Sequence, residues 1–174
     1  MSPRRRLLVW IFLAGICILI VCWAMGILTD PGSRLGFRFY TGLWWPSNAR
    51  VIARGDDHGG FHGDGEFYVV FETDEQTIQK WLSGSAPWGQ EWEQGPVPGE
   101  IGFHCSFGTL GASWSTVNGE SRYRGDEELV RLFSSNQTLY VARERGSSSL
   151  RWHNGDLFIV DPQAKTVWFC VWDW

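Results

Sequence analysis

The sequence predicts an α+β protein: one N-terminal transmembrane helix, then a compact domain with a mainly antiparallel sheet, a C-terminal meander and two short helices. Three observations carry that expectation. The 22 residues Leu7–Leu28 contain no charged side chain and follow Arg4, Arg5 and Arg6. The rest of the chain holds ten of the 12 tryptophans, in aromatic and β-branched segments separated by glycine-containing turns. Two segments instead show the helical spacing of apolar residues behind capping residues.

At about 1.5 Å per residue the apolar run makes a helix of about 33 Å, enough to cross a hydrocarbon core of about 30 Å. A helix satisfies its own backbone hydrogen bonds there, and Trp10 and Trp23 fall near its two ends, where indoles favour the headgroups. Arg4, Arg5 and Arg6 outweigh Arg34 and Arg38, which puts the N-terminus in the cytoplasm and the rest outside. The competing reading is a secretory signal cleaved after Ala24-Met25-Gly26. The run continues past that site through Ile27 and Leu28, longer than a signal core of about 7–15 residues, and favours an uncleaved signal-anchor. Both readings export residues 30–174. Lipid attachment at Cys17 or Cys22 is disfavoured, because Ile16 and Val21 precede them. The expected organisation is a basic tail (1–6), a membrane span (7–28), a connector (29–47) and an exported domain (48–174) in a cell membrane, and the bare anchor suggests a bacterial one.

Setting aside the three leading arginines, the 15 basic residues become 12 against 19 acidic, a net charge of −7 for the exported part. That balance gives no electrostatic footprint for nucleic acid. About 145 residues suit one domain with its own core.

Within the connector, Phe37-Arg38-Phe39-Tyr40 reads as a short strand. Arg50 to Arg54 reads as a strand, and Glu66 to Glu72, apolar on both alternating faces, as a central buried one. Thr73 with Gln76 has the capping-box pattern, and Ile78, Trp81 and Leu82 follow at helical spacing until Ser83-Gly84. Residues 84–100, rich in Gly and Pro, read as a long surface loop. Ile101 to Phe107 and Ser113 to Val117 are strand candidates. Asp126 caps a second helix with Leu129, Leu132 and Phe133 as its buried stripe. The meander comprises Thr138 to Arg143, Ser148 to His153, Leu157 to Val160 and Thr166 to Trp172. Asn154-Gly155 is expected as its two-residue hairpin turn, both positions at positive φ. Trp168, Trp172 and Trp174 share strand parity and should line one face.

The densest polar cluster runs from Asp56 to Glu66. His58, His62, Asp57 and Asp64 are its candidate ligands for zinc or a similar divalent ion. Gly59 and Gly60 argue against the helix that would align the two imidazoles, and the plainer reading is a solvated glycine-rich connection between two strands. No other cofactor is expected. Cys105 and Cys170 are the two cysteines outside the apolar run, and either pair in a disulfide or stay as buried thiols. His104 and Cys105, adjacent in a strand, would point to opposite faces and form no dyad. Trp44, Trp45, Trp88 and Trp92 lie in expected loops, where they either face a ligand or close the core. Arg124-Gly125-Asp126 is explained by the helix cap, and Asn136-Gln137-Thr138 is a sequon of use only to a glycosylating host. No nucleophile elbow, phosphate loop or dinucleotide fingerprint is present. These readings favour a membrane-tethered exported domain that binds a protein or envelope ligand without catalysis. The alternative is a metal-binding domain or metal-dependent hydrolase centred on His58 and His62.

Overall fold

The computed structural model describes residues 10–21, 30–56, 65–104, 113–117, 120–124, 127–146, 152 and 154–173, in two units, Met1–Trp44 and Trp45–Trp174. The first unit contains a helix, α1, over 10–21, with Trp10, Phe12, Ile18, Leu19 and Ile20 all exposed. Such a helix is apolar on every side, and each of its residues is exposed. Among the described residues no helix is long and apolar enough to cross a membrane. The connector contains a second helix, α2 (Arg34–Thr41), where a strand was expected. Its ends explain the difference. Ser33 caps the first turn by accepting from Gly36 N at 2.8 Å, and Gly42, at φ 76°, donates its N–H to Arg38 O and stops the helix.

The second unit is built on a six-stranded, wholly antiparallel sheet of order β1-β2-β8-β7-β6-β3. Its strands are β1 (Arg50–Asp56), β2 (Gly65–Glu72), β3 (Glu93–Gln94), β6 (Leu139–Glu144), β7 (Asn154–Asp161) and β8 (Thr166–Asp173). A separate hairpin pairs β4 (Ser113–Val117) with β5 (Glu120–Arg124). The helices are α3 (Glu75–Ser83), α4 (Gly99–His104) and α5 (Glu127–Ser134). The α+β class and the antiparallel meander are therefore correct.

Strands β2, β7 and β8 are buried on both faces, which is why their sequences read as continuous apolar runs rather than alternating ones. One face carries Tyr68, Val70, Leu157, Ile159, Trp168, Cys170 and Trp172 under Ile101, Leu132 and Phe133. Trp168 sits at its centre, with the Phe133 ring edge-on at 5.1 Å and the Tyr68 ring at 5.6 Å. Phe67, Val69, Phe71, Phe158 and Phe169 form the opposite face by strand parity. Trp81 of α3 packs edge-on to Phe71 and Phe158, Trp45 lies 4.8 Å from Phe71, and Trp92 lies 6.2 Å from Phe158.

Several local expectations need correction. The cap of α3 is Asp74, whose carboxylate accepts from Thr77 N at 2.6 Å, rather than Thr73. Thr73 instead donates its hydroxyl to Asn48. Residues 99–104 form α4, where a strand through Ile101 was expected; the Pro98 carbonyl accepts from both Ile101 N and Gly102 N and starts the turn. The expected surface loop over 84–100 includes a single helical turn at Pro87–Gly89 and the edge strand β3, and it buries Ala86, Pro87 and Val97. Asn154 and Gly155 are not a turn: both lie inside β7, paired with Asp173 and Trp172. Trp152, expected in a strand, has φ 61° and lies in the turn before β7.

The short strand β3 is tied to β6 by one side chain. The Tyr140 hydroxyl donates to Glu93 Oε2 at 2.7 Å, and burial together with that carboxylate pushes the phenol well above the ordinary tyrosine value. Tyr140 is thus a fixed neutral donor. Tyr140→Phe should cost about 1 kcal/mol, read as a lower urea midpoint at unchanged slope.

Candidate functional site

Each buried carboxylate among the described residues of the second unit is engaged by its neighbours. Asp156 is fully buried, directly opposite Arg143 across the β6–β7 ladder. Its Oδ2 accepts from Arg143 Nε at 2.8 Å and from Arg143 Nη2. Arg145 Nε stands 3.0 Å from Oδ1 without hydrogen-bond alignment, so this contact is an ion pair. The same guanidinium reaches Asp173 Oδ1 at 3.0 Å and donates to the backbone carbonyl of Trp172. Burial pushes the Asp156 carboxyl above the ordinary aspartate range, and the two arginines oppose that shift without cancelling it. This cluster locks the ends of β6, β7 and β8 together. It offers no unengaged acid or base.

Glu66 and Cys170 form a second buried pair, with the thiol donating to Glu66 Oε1 at 3.3 Å. A thiol beside a carboxylate lacks the electropositive setting that favours a thiolate nucleophile. Burial and the Glu66 charge also push the Tyr68 phenol up. Asp161 accepts from the N–H groups of Gln163 and Ala164 at 2.9 Å and pairs with Arg131 at 3.1 Å, which shapes the β7–β8 turn.

The loop tryptophans divide. Trp44 is exposed, with the Arg38 guanidinium 3.4 Å above its ring. Trp45, Trp88 and Trp92 are half-buried: Trp45 and Trp92 pack on core rings, and Trp88 lies 5.0 Å from the Arg143 guanidinium. Trp88 adopts φ 62°, a left-handed conformation that bulky residues rarely take. His58, His62, Asp57 and Asp64 lie outside the described residues, as do Cys105, Trp174, Asp126 and the peptide around Gly26. Among the described residues no group of three His, Cys, Asp or Glu side chains is placed to hold a metal ion. His104 ends α4 rather than lying in a strand, so the opposite-faces argument for His104 and Cys105 does not apply.

Among the described residues, β1 is the longer of the two edge strands of the six-stranded sheet. This seven-residue strand pairs only with β2 among the described residues and contains no buried side chain. Val51 and Ile52 are 48 % and 43 % exposed. Its register slips between Val51 and Ala53, a bulge that places Ile52 outside the regular pairing. Arg50 pairs with Glu72, donating from Nε at 3.0 Å, and the Arg54 guanidinium lies 5.4 Å from the Phe67 ring. Arg-Val-Ile-Ala-Arg is the sequence signal for such an edge, since charges that flank an apolar triplet guard the rim of a sheet. Set against known proteins, the chain matches no family model, no curated protein and no solved structure.

Proposed function

We propose that this chain is a single-pass membrane protein, its N-terminus cytoplasmic, whose exported α+β domain binds a protein partner without catalysis. The partner contributes an extended segment along the outer edge of β1. The observation that carries this reading is the outer edge of β1, which pairs only with β2 among the described residues and has Val51 and Ile52 exposed along it. Edge N–H and C=O groups accept a further strand, and neighbouring apolar side chains give it purchase. Arg50 and Arg54 oppose pairing with a second copy, because an antiparallel self-pair brings like charges together. The engagement of Asp156, Glu66 and Asp161 supports a binding role over a catalytic one. The anchor is supported by the charge-free run Leu7–Leu28 behind three arginines, and by the all-round exposure of apolar side chains on α1.

A photo-crosslinking residue at position 52 of the full chain, in its native membrane, tests the edge. The expected result is an adduct of one defined mass, absent from a control crosslinker at exposed Lys80 on α3 and abolished by Val51→Lys. Equal adduct yields from positions 52 and 80 would overturn the edge as the binding surface.

A further inference from the structure

We infer that α2 and Trp44 form an interfacial collar that lies on the outer surface of the bilayer, against its lipid headgroups. This inference rests on the anchor part of the function proposed above. Leu35, Phe39 and Trp44 are 51 %, 69 % and 65 % exposed, three large apolar side chains within ten residues. Leu35 and Phe39 stand at i and i+4, so they share one face of α2. The helix is basic: Arg34 and Arg38 are its charged residues, and no acid occupies its first turn. Arg38 places its guanidinium over the Trp44 ring, a stack in which an indole and a cation share one surface patch. An amphipathic basic helix with exposed aromatic side chains is the composition of a segment lying in the membrane interface.

The position of α2 in the chain identifies the occupant. Only residues 29–33 separate the apolar run from α2, a reach of about 20 Å even when fully extended. The described part of that link is folded back: Ser33 N donates to Asp30 O at 3.0 Å, and Gly32 N donates to Asp30 Oδ1 at 2.8 Å. A turned link of this length holds α2 close to the headgroup zone, which is about 5–7 Å deep on each side of the hydrocarbon. There the apolar side chains reach the acyl boundary, while Arg34 and Arg38 meet lipid phosphates. A second protein domain would have to displace lipid from the same place.

The test uses the full chain reconstituted in vesicles of phosphatidylcholine with phosphatidylglycerol. An environment-sensitive fluorescent amino acid is placed in turn at positions 18, 39 and 80, with nitroxide lipids labelled at the headgroup or deep in the acyl chain. The collar predicts strong quenching at position 39 by the headgroup nitroxide, strong quenching at 18 by the deep nitroxide, and neither at 80. Arg34→Glu with Arg38→Glu should cut the headgroup quenching at position 39 by roughly half. Quenching at 18 with position 39 as open to aqueous iodide as position 80 would overturn the collar and leave the anchor standing. A position 39 shielded from both iodide and lipid nitroxides would assign the face to protein and overturn the collar equally. No lipid quenching at 18 would overturn the anchor, and the collar with it.

Discussion

Gly155→Ala should destabilise the sheet unit by about 3 kcal/mol, the upper part of the range for overpacking a close-packed interior. In the β7–β8 ladder Gly155 lies directly opposite Trp172, whose indole, fully buried, lies across the glycine. A Cβ at position 155 would fall 2.7 Å from Trp172 Cη2 and 2.8 Å from Cε2, and closer still to Cζ2. The ring has little freedom to withdraw, because its Nε1 donates to the Trp152 carbonyl at 2.8 Å and its centroid lies 6.4 Å from that of the tilted Trp152 ring. Urea unfolding of Gly155→Ala, Trp172→Leu and the double variant checks this. The alanine should be tolerated better once the indole is gone, leaving a coupling of about 1 kcal/mol or more between the two sites. Additive losses would mean that the ring moves aside freely.

The same glycine explains how far the sequence could be read. Strands β2, β6, β7 and β8 were legible because long apolar runs tolerate few alternatives, and α3 was legible from Ile78 and Trp81 at helical spacing with Gly84 behind them. Asn154-Gly155 has the chemistry of a tight turn, yet the glycine is there for close approach of an indole from the neighbouring strand β8, 17 residues further along the chain. Sequence proximity carries no trace of Trp172. The error also displaces the candidate site. A turn at Asn154-Gly155 would pair 157–160 with 148–153, whereas the observed ladder pairs β7 with β6 and sets Arg143 against Asp156. The ion cluster was therefore invisible until the register was known. The helices α2 and α4 were missed for a related reason: aromatic and Gly-containing segments of six to eight residues have no period long enough to decide between helix and strand, and the cap residues decide instead. The β1 edge was partly legible. Arg50 to Arg54 was read as a strand, but its place at the rim is a property of the strand order.

Asp156→Ala should cost about 3 kcal/mol at neutral pH, and the pH dependence of that site should run opposite to that of an ordinary paired carboxylate. Deleting one partner of a buried ion pair typically costs about 3–5 kcal/mol. The lower end applies here because Arg143 and Arg145 keep 36 % and 27 % of their side-chain surface in contact with solvent and can partly rehydrate. The sign with pH follows from burial. Loss of hydration at Asp156 outweighs Arg145 and Arg143, so its carboxyl titrates above the ordinary 3.8 of the unfolded chain. As pH rises from 3.8 to the raised folded value, the folded protein still holds a proton that the unfolded chain has released. Stability contributed by this site therefore falls with rising pH across that window and levels off above it. Asp74 behaves in the opposite sense: the hydrogen bond from Thr77 N lowers its carboxyl, and its contribution is lost as pH falls. Subtracting the unfolding free energy of Asp156→Asn from that of the parent chain cancels Asp74 and isolates Asp156. The difference should decline from acid toward neutral pH. A difference that instead grows with pH would mean that the arginines, and not burial, dominate at the end of the sheet, and that the buried aspartate is held as a preferred anion.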